Sequence, residues 1–193
     1  MRPAAPAADM RLTYDDFLLF PDDGKRHEII GGVHYVTPSP RVRHQDLVGR
    51  LHGAIFVYLL EHPEAGRLFL APLDVVLSHY DVVEPDLLFI AGDQAGIMTE
   101  KNIQGAPALV VEVMSKSTRK RDAQIKRRLF EQVGVREYWL VDPELDTVQV
   151  LRPTAEGRLA RVEELTAEDG GTLTTPLLPG CGIDVRTFFR PTI

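Results

Sequence analysis

The chain has 193 residues, 44% of them hydrophobic and 26% charged, and a formal net charge of −6. That length and balance suit one soluble domain whose core is large enough to stand without a disulfide or a structural metal. They exclude a protein coated in positive potential, and the longest uninterrupted apolar run, Ala54 to Leu60, is far too short to span a bilayer, so no membrane association is expected.

The first stretch, Met1 to Asp9, is rich in Ala and Pro and lacks the apolar core of a signal peptide. It reads as a flexible tail over residues 1–10, ahead of a single domain over residues 11–193. Thr13 is placed to cap a short helix from Tyr14 to Phe20, with Asp15 and Asp16 in its first turn. Pro21-Asp22-Asp23-Gly24 breaks it. Arg26 to Ile30 and Val33 to Thr37 read as two strands, and Gly31-Gly32 between them is hairpin chemistry. From about Arg41 to Glu61, apolar residues recur at three- and four-residue spacing, which predicts a helix ended by Pro63 and Gly66.

Three strands are expected next, at Arg67 to Ala71, Asp74 to Ser78 and Pro85 to Ile90. Ala91 to Gln104 reads as loop with one turn of helix. Ala108 to Met114 is a continuous apolar run holding one acid, the pattern of a central strand covered on both faces. A helix from about Thr118 to Val133 follows, stopped by Gly134, then a strand from Glu137 to Val141. This strand–helix–strand unit implies a parallel pair with a right-handed crossover, hence an α/β (α+β) architecture. Asp146 to Leu151 and Leu159 to Leu165 can form a terminal hairpin, and the last segment, rich in Pro and Gly, is expected to wrap the surface. The single cysteine, Cys181, has no partner for a disulfide or a thiolate metal site. It reads as a small buried residue, and the cytoplasm is the compartment that fits.

Two acids carry the chemistry. Glu112 lies between Val111 and Val113, where a lone carboxylate has to be protonated, paired or metal-bound. A structural salt bridge is the plain alternative. Asp86 heads the run Leu87-Leu88-Phe89-Ile90 and alone would pass for a loop acid. On a helical projection of Thr118 to Val133, with Asp122 at zero, Lys126 falls at about 40°, on the apolar stripe. Lys120, Arg121, Arg127 and Arg128 fall on the outer arc. Lys126 therefore either reaches the sheet that holds Glu112 or pairs with Asp122 within the helix. Two carboxylates on adjacent strands can hold Mg²⁺, and a nearby ammonium can stabilise charge on a phosphate. Glu28, in the first strand, could complete the metal shell or simply be exposed. His44 reads as a capping or packing residue and Asp74 as a turn acid. Phosphate-binding loops, dinucleotide motifs, HExxH zinc motifs and serine elbows are absent.

Several segments together resemble the PD-(D/E)XK nuclease superfamily and, within it, the Uma-type family of restriction-endonuclease-like bacterial proteins. They are His27 to Gly32, Pro85-Asp86-Leu87, Pro107 to Ser115, Asp122 with Lys126, and Gly134 to Pro143. The resemblance spans roughly Leu12 to Val150. It implies a restriction-endonuclease-like fold, a mixed central sheet flanked by helices, and Mg²⁺-dependent (or Mn²⁺-dependent) cleavage of DNA. Asp86 and Glu112 would be the metal ligands, Glu28 a further acid near them, and Lys126 the catalytic lysine. The chain departs from the superfamily pattern at Met114, where a lysine is expected two residues after Glu112. The resemblance suggests that Lys126 takes its place, with Lys116 as runner-up. Phe130 also stands where a tyrosine is expected one turn later. A homodimer is expected, because two sites cut two strands most simply. The opposing expectation is a non-catalytic nucleic-acid-binding or interaction module that keeps the nuclease fold.

Overall fold

The computed structural model describes residues 11–190. The expected tail over residues 1–10 lies outside them. Helix α1 (Tyr14–Phe17) carries a capping box, in which Thr13 accepts from the Asp16 amide and Asp16 accepts from the Thr13 amide. Strands β1 (Arg26–Ile30) and β2 (Val33–Thr37) form the hairpin. Gly31 and Gly32 sit at φ 61° and 80°, positive at both turn positions as a tight hairpin needs.

Helix α2 (Val42–Glu61) is 20 residues long and buries His44, Leu47, Val48, Leu51, Ile55 and Leu59 along one stripe. Each such aliphatic burial is worth about 1.5–3 kcal/mol. Strands β3 (Gly66–Leu70), β4 (Val75–Ser78), β5 (Asp81–Val83) and β6 (Leu87–Ala91) follow, then a 3₁₀ segment over Gly92–Ile97 and a two-residue strand β7 (Ile103–Gln104). Strand β8 (Leu109–Val113) is buried at every position, as is β9 (Glu137–Asp142). The helix between them is not uniform: a π segment, Arg121–Lys126, runs into α3 (Arg127–Val133). Gly134 ends α3 in the left-handed conformation, at φ 82°. Strands β10 (Thr147–Pro153), β11 (Leu159–Thr166), β12 (Thr172–Thr174) and β13 (Gly182–Asp184) and helix α4 (Val185–Phe189) complete the chain.

A six-stranded sheet in the order β11-β10-β9-β8-β6-β3 forms the centre, and β8 and β9 are its parallel pair. Its other pairings are antiparallel. One face packs against α2, α4 and the small β12-β13 sheet through Leu51, Leu87, Val111 and Phe188. The other face packs against α3 and a five-stranded sheet, β2-β1-β5-β4-β7, through Ile30, Val83, Leu88, Val110 and Phe130. Coverage on both faces is why β6, β8 and β9 read as near-continuous apolar runs.

The C-terminal segment departs from the surface wrap expected of it. Val185, Phe188 and Phe189 are all buried in the α2 face of the core. Asp184 caps this last helix by accepting from the Thr187 amide, so a Pro- and Gly-rich approach ends in a packed anchor. Strands β5 and β7 were also not expected; at three and two residues they are too short for a periodic signal.

Candidate functional site

The register of β6 against β8 pairs Leu87 with Val111 and Leu88 with Val110. Extended by one residue, it sets Asp86 across from Glu112. Side chains alternate along a strand, so both acids share the face of Leu88 and Val110. Asp86 is 4% exposed and Glu112 3%, yet both line a cleft of ≈ 380 Å³. Glu28 reaches the same region from β1, and Lys126 from the π segment. The structure thus joins Glu28, Glu112 and Lys126 in one network and sets Asp86, with partners of its own, on the strand beside Glu112.

Lys126 is its hub. The Nζ atom lies 2.6 Å from Glu28 Oε1 and 2.6 Å from Glu112 Oε1. This settles the choice left open by spacing: the lysine bridges two strands rather than pairing along its own helix. Asp122 is buried beside it, and the Tyr138 hydroxyl donates to the Asp122 carbonyl at 3.1 Å. The runner-up, Lys116, is 75% exposed and lies 3.6 Å from Glu144 instead.

Arg121 departs from its expected place on the outer arc. Its side chain turns inward to Glu28 Oε2 at 3.4 Å and donates to Thr37 Oγ1 at 2.8 Å. At one step from Asp122 it stands on the flank of the helix, and a long side chain there bends to a buried carboxylate that has room for a second cation. Glu28 also accepts from the Glu84 amide at 3.0 Å. It is therefore buried and paired with two cations, not the exposed strand acid its sequence context allowed.

Two partners of Asp86 escaped the sequence reading. Arg26 Nη1 lies 2.6 Å from its Oδ1, and His44 Nε2 lies 3.1 Å from its Oδ2. The Val113 amide also donates to Oδ2, at 2.9 Å. His44 thus does more than cap or pack. A signal for it existed: it stands three and seven residues before Leu47 and Leu51, on the inward stripe of α2. Arg26, at the first position of an ordinary strand, left none.

Four carboxylates, from Glu28, Asp86, Asp122 and Glu112, face three permanent cations, from Arg26, Arg121 and Lys126. The shortfall falls on Glu112. Burial raises its pKa, the charges of Asp122, Asp86 and Glu28 add to that against Lys126, and the result is about 8. Glu28 goes the other way: burial is outweighed by Lys126 and Arg121, so it stays ionised. Burial also works against the charge of Lys126, but Glu112, Glu28 and Asp122 hold the ammonium protonated. For Asp86, burial is overcome by the His44 hydrogen bond and the Arg26 guanidinium, which bring it to about 2.

The donor set is compatible with a hard divalent ion. Asp86 and Glu112 offer carboxylate oxygen, and Glu112 Oε2 accepts no hydrogen bond from the described residues. No group of three or more His, Cys, Asp or Glu residues suited to a metal occurs among the described residues. A two-carboxylate site fits Mg²⁺, which keeps several of its waters, better than an ion that demands a full protein cage.

No helix among the described residues is long and apolar enough to cross a membrane. A comparison with curated proteins finds no match. Among solved structures, one described as a "putative nuclease belonging to DUF820 from Anabaena variabilis ATCC 29413" is similar, with a TM-score of 0.77 and 20% identity. The match covers 92% of this chain and 97% of that one. At that identity the likeness speaks for the fold, which is restriction-endonuclease-like. A family model described as "Putative restriction endonuclease" matches residues 14–186, and the chain belongs to that family, Uma2.

Proposed function

We propose that this protein is a metal-dependent nuclease that hydrolyses DNA phosphodiester bonds at the Asp86–Glu112–Lys126 cluster. The observation that carries this reading is the placement of Asp86 opposite Glu112 at the wall of a cleft, with the Lys126 ammonium 2.6 Å from Glu112. Asp86 and Glu112 would hold the ion. When bound, Mg²⁺ or Mn²⁺ supplies Lewis-acid activation of water and neutralises charge on phosphate. Lys126 contributes a fixed positive charge where negative charge develops. Glu28 is a positioning residue: it holds Lys126 from the side away from Glu112 and does not itself line the cleft. The rim carries three cations of an otherwise acidic chain, Arg41, Arg43 and Lys116, of which Arg43 pairs with Asp146 and Lys116 with Glu144. Assembly as a homodimer belongs to this reading, and light scattering that shows only monomer removes it.

Cleavage of plasmid and single-stranded DNA with Mg²⁺ or Mn²⁺, by wild type and by Asp86→Ala, tests the proposal. Cutting by wild type and none by the variant is expected. Absence of cutting across these substrates and ions, or equal cutting by both proteins, refutes it.

A second reading has its own support. Each site carboxylate already faces a protein cation, through Arg26, Lys126 and Arg121. The fold could thus serve as a non-catalytic module for binding nucleic acid or another partner. It predicts no Mg²⁺ binding, so calorimetric binding that disappears in Glu112→Gln rejects it.

A further inference from the structure

We infer that Arg26 is an exchangeable counter-ion: it holds Asp86 in the ligand-free protein and releases it when a divalent cation binds, which turns a guanidinium toward the substrate phosphate. The inference rests on the metal-dependent reading above.

Two cations touch the two candidate ligands, and they differ in freedom. Lys126 is 2% exposed and lies between two buried carboxylates, so its departure would strand both. Arg26 is 21% exposed and makes one carboxylate contact. Its remaining hydrogen bond, to the Glu84 carbonyl, is 3.3 Å long. The two oxygens of Asp86 are equally unlike. Oδ2 is held by a backbone amide, which has no other place to go, and by His44. Oδ1 meets Arg26. Movement of one partly exposed side chain therefore frees one ligand oxygen and leaves the carboxylate anchored by the other.

The location says what a released guanidinium would meet. Arg26, His44 and Asp86 line the ≈ 380 Å³ cleft and also a second cleft of ≈ 420 Å³. The link from β2 to α2, Thr37 to Pro40, borders both clefts. Arg26 stands where they meet. A guanidinium presents a planar fork of donors suited to two oxygens of a phosphodiester. Metal and phosphate would then favour each other's binding, because each removes one partner from the Arg26–Asp86 pair, and the coupling must be reciprocal.

Calorimetry with Mg²⁺ on wild type and Arg26→Gln, together with NMR of the Arg26 Nε–H signal in wild type, tests this. The NMR measurement does not depend on the variant's folding. Arg26→Gln is expected to bind Mg²⁺ at least ten-fold more tightly than wild type. The wild-type Nε–H signal is expected to move toward that of a solvent-exposed arginine at saturating Mg²⁺. A phosphorothioate oligonucleotide that resists cleavage should tighten Mg²⁺ binding in wild type and not in Arg26→Gln. Mg²⁺ binding with unchanged affinity in the variant, an unmoved Arg26 signal, or equal coupling in both proteins overturns the inference and leaves the metal reading standing. Absence of Mg²⁺ binding in both proteins removes the two together.

Discussion

Replacing Glu112 with glutamine should make the protein relatively more stable as pH rises. Glutamine keeps the shape and still accepts from Lys126, but it never ionises. In the wild type the buried carboxyl holds its proton up to about 8, against an ordinary 4.5. Between those values the folded state keeps a proton that the unfolded chain has released. The sign follows: wild-type stability falls with rising pH across that window and is level above it. One proton's linkage is about 1.4 kcal/mol per pH unit, on the order of 5 kcal/mol across the whole window as a ceiling. The two proteins should therefore match near pH 4.5 and separate progressively toward pH 8. Glu84 adds a second slope that the substitution leaves intact, since burial and the Asp74 and Glu28 charges raise it to about 7. The measurement is urea unfolding from pH 4.5 to 9 with a chelator present. The single tryptophan, Trp139, is 1% exposed and reports the loss of the central sheet. Parallel stability profiles for the two proteins would refute the charge count on which the argument stands.

Two further outcomes are expected. Lys126→Met leaves Glu28 and Glu112 buried without their shared ammonium, so unfolding at pH 8 should show a loss of about 3–5 kcal/mol. That loss should shrink at pH 5 as the carboxyls take up protons; a deficit that does not change with pH counts against the bridge. Phe188→Ala opens the core under α2 and should cost about 3–5 kcal/mol with metal binding unaltered. A surface-like cost below about 0.5 kcal/mol would return the C-terminal segment to a wrapping role.

What the sequence revealed and what it hid follow physical lines. Central strands were legible because burial on both faces leaves a run such as Leu-Val-Val-Glu-Val no other home. Glu112 stood out for the same reason, since an acid in that run has to be explained. Lys126 was found by helical angle, even though the helix is partly π, because Asp122, Lys126 and Leu129 stay on one side. Arg26 was hidden because it acts across 60 residues of chain on Asp86, and a single sequence carries no trace of such a contact; His44 acts across 42, and its place on the inward stripe of α2 signalled burial but not the partner. Helix α4 was hidden by its Pro-rich approach: five residues are too few to show a period, although Val185, Phe188 and Phe189 are apolar enough to bury.

The amide hydrogen bonds described for Asp86 and Glu28 have one more consequence. The Val113 and Glu84 amides sit beside ladders of strand hydrogen bonds, but their acceptors are carboxylates of the site rather than carbonyls of a neighbouring strand. Each sheet is thus laced within itself at one such point, β8 to the head of β6 and the end of β5 to β1, by a group whose charge and ligation can change. Solvent exchange of these two amide protons becomes a local gauge of the site's state, while the ladder amides around them answer to the fold as a whole.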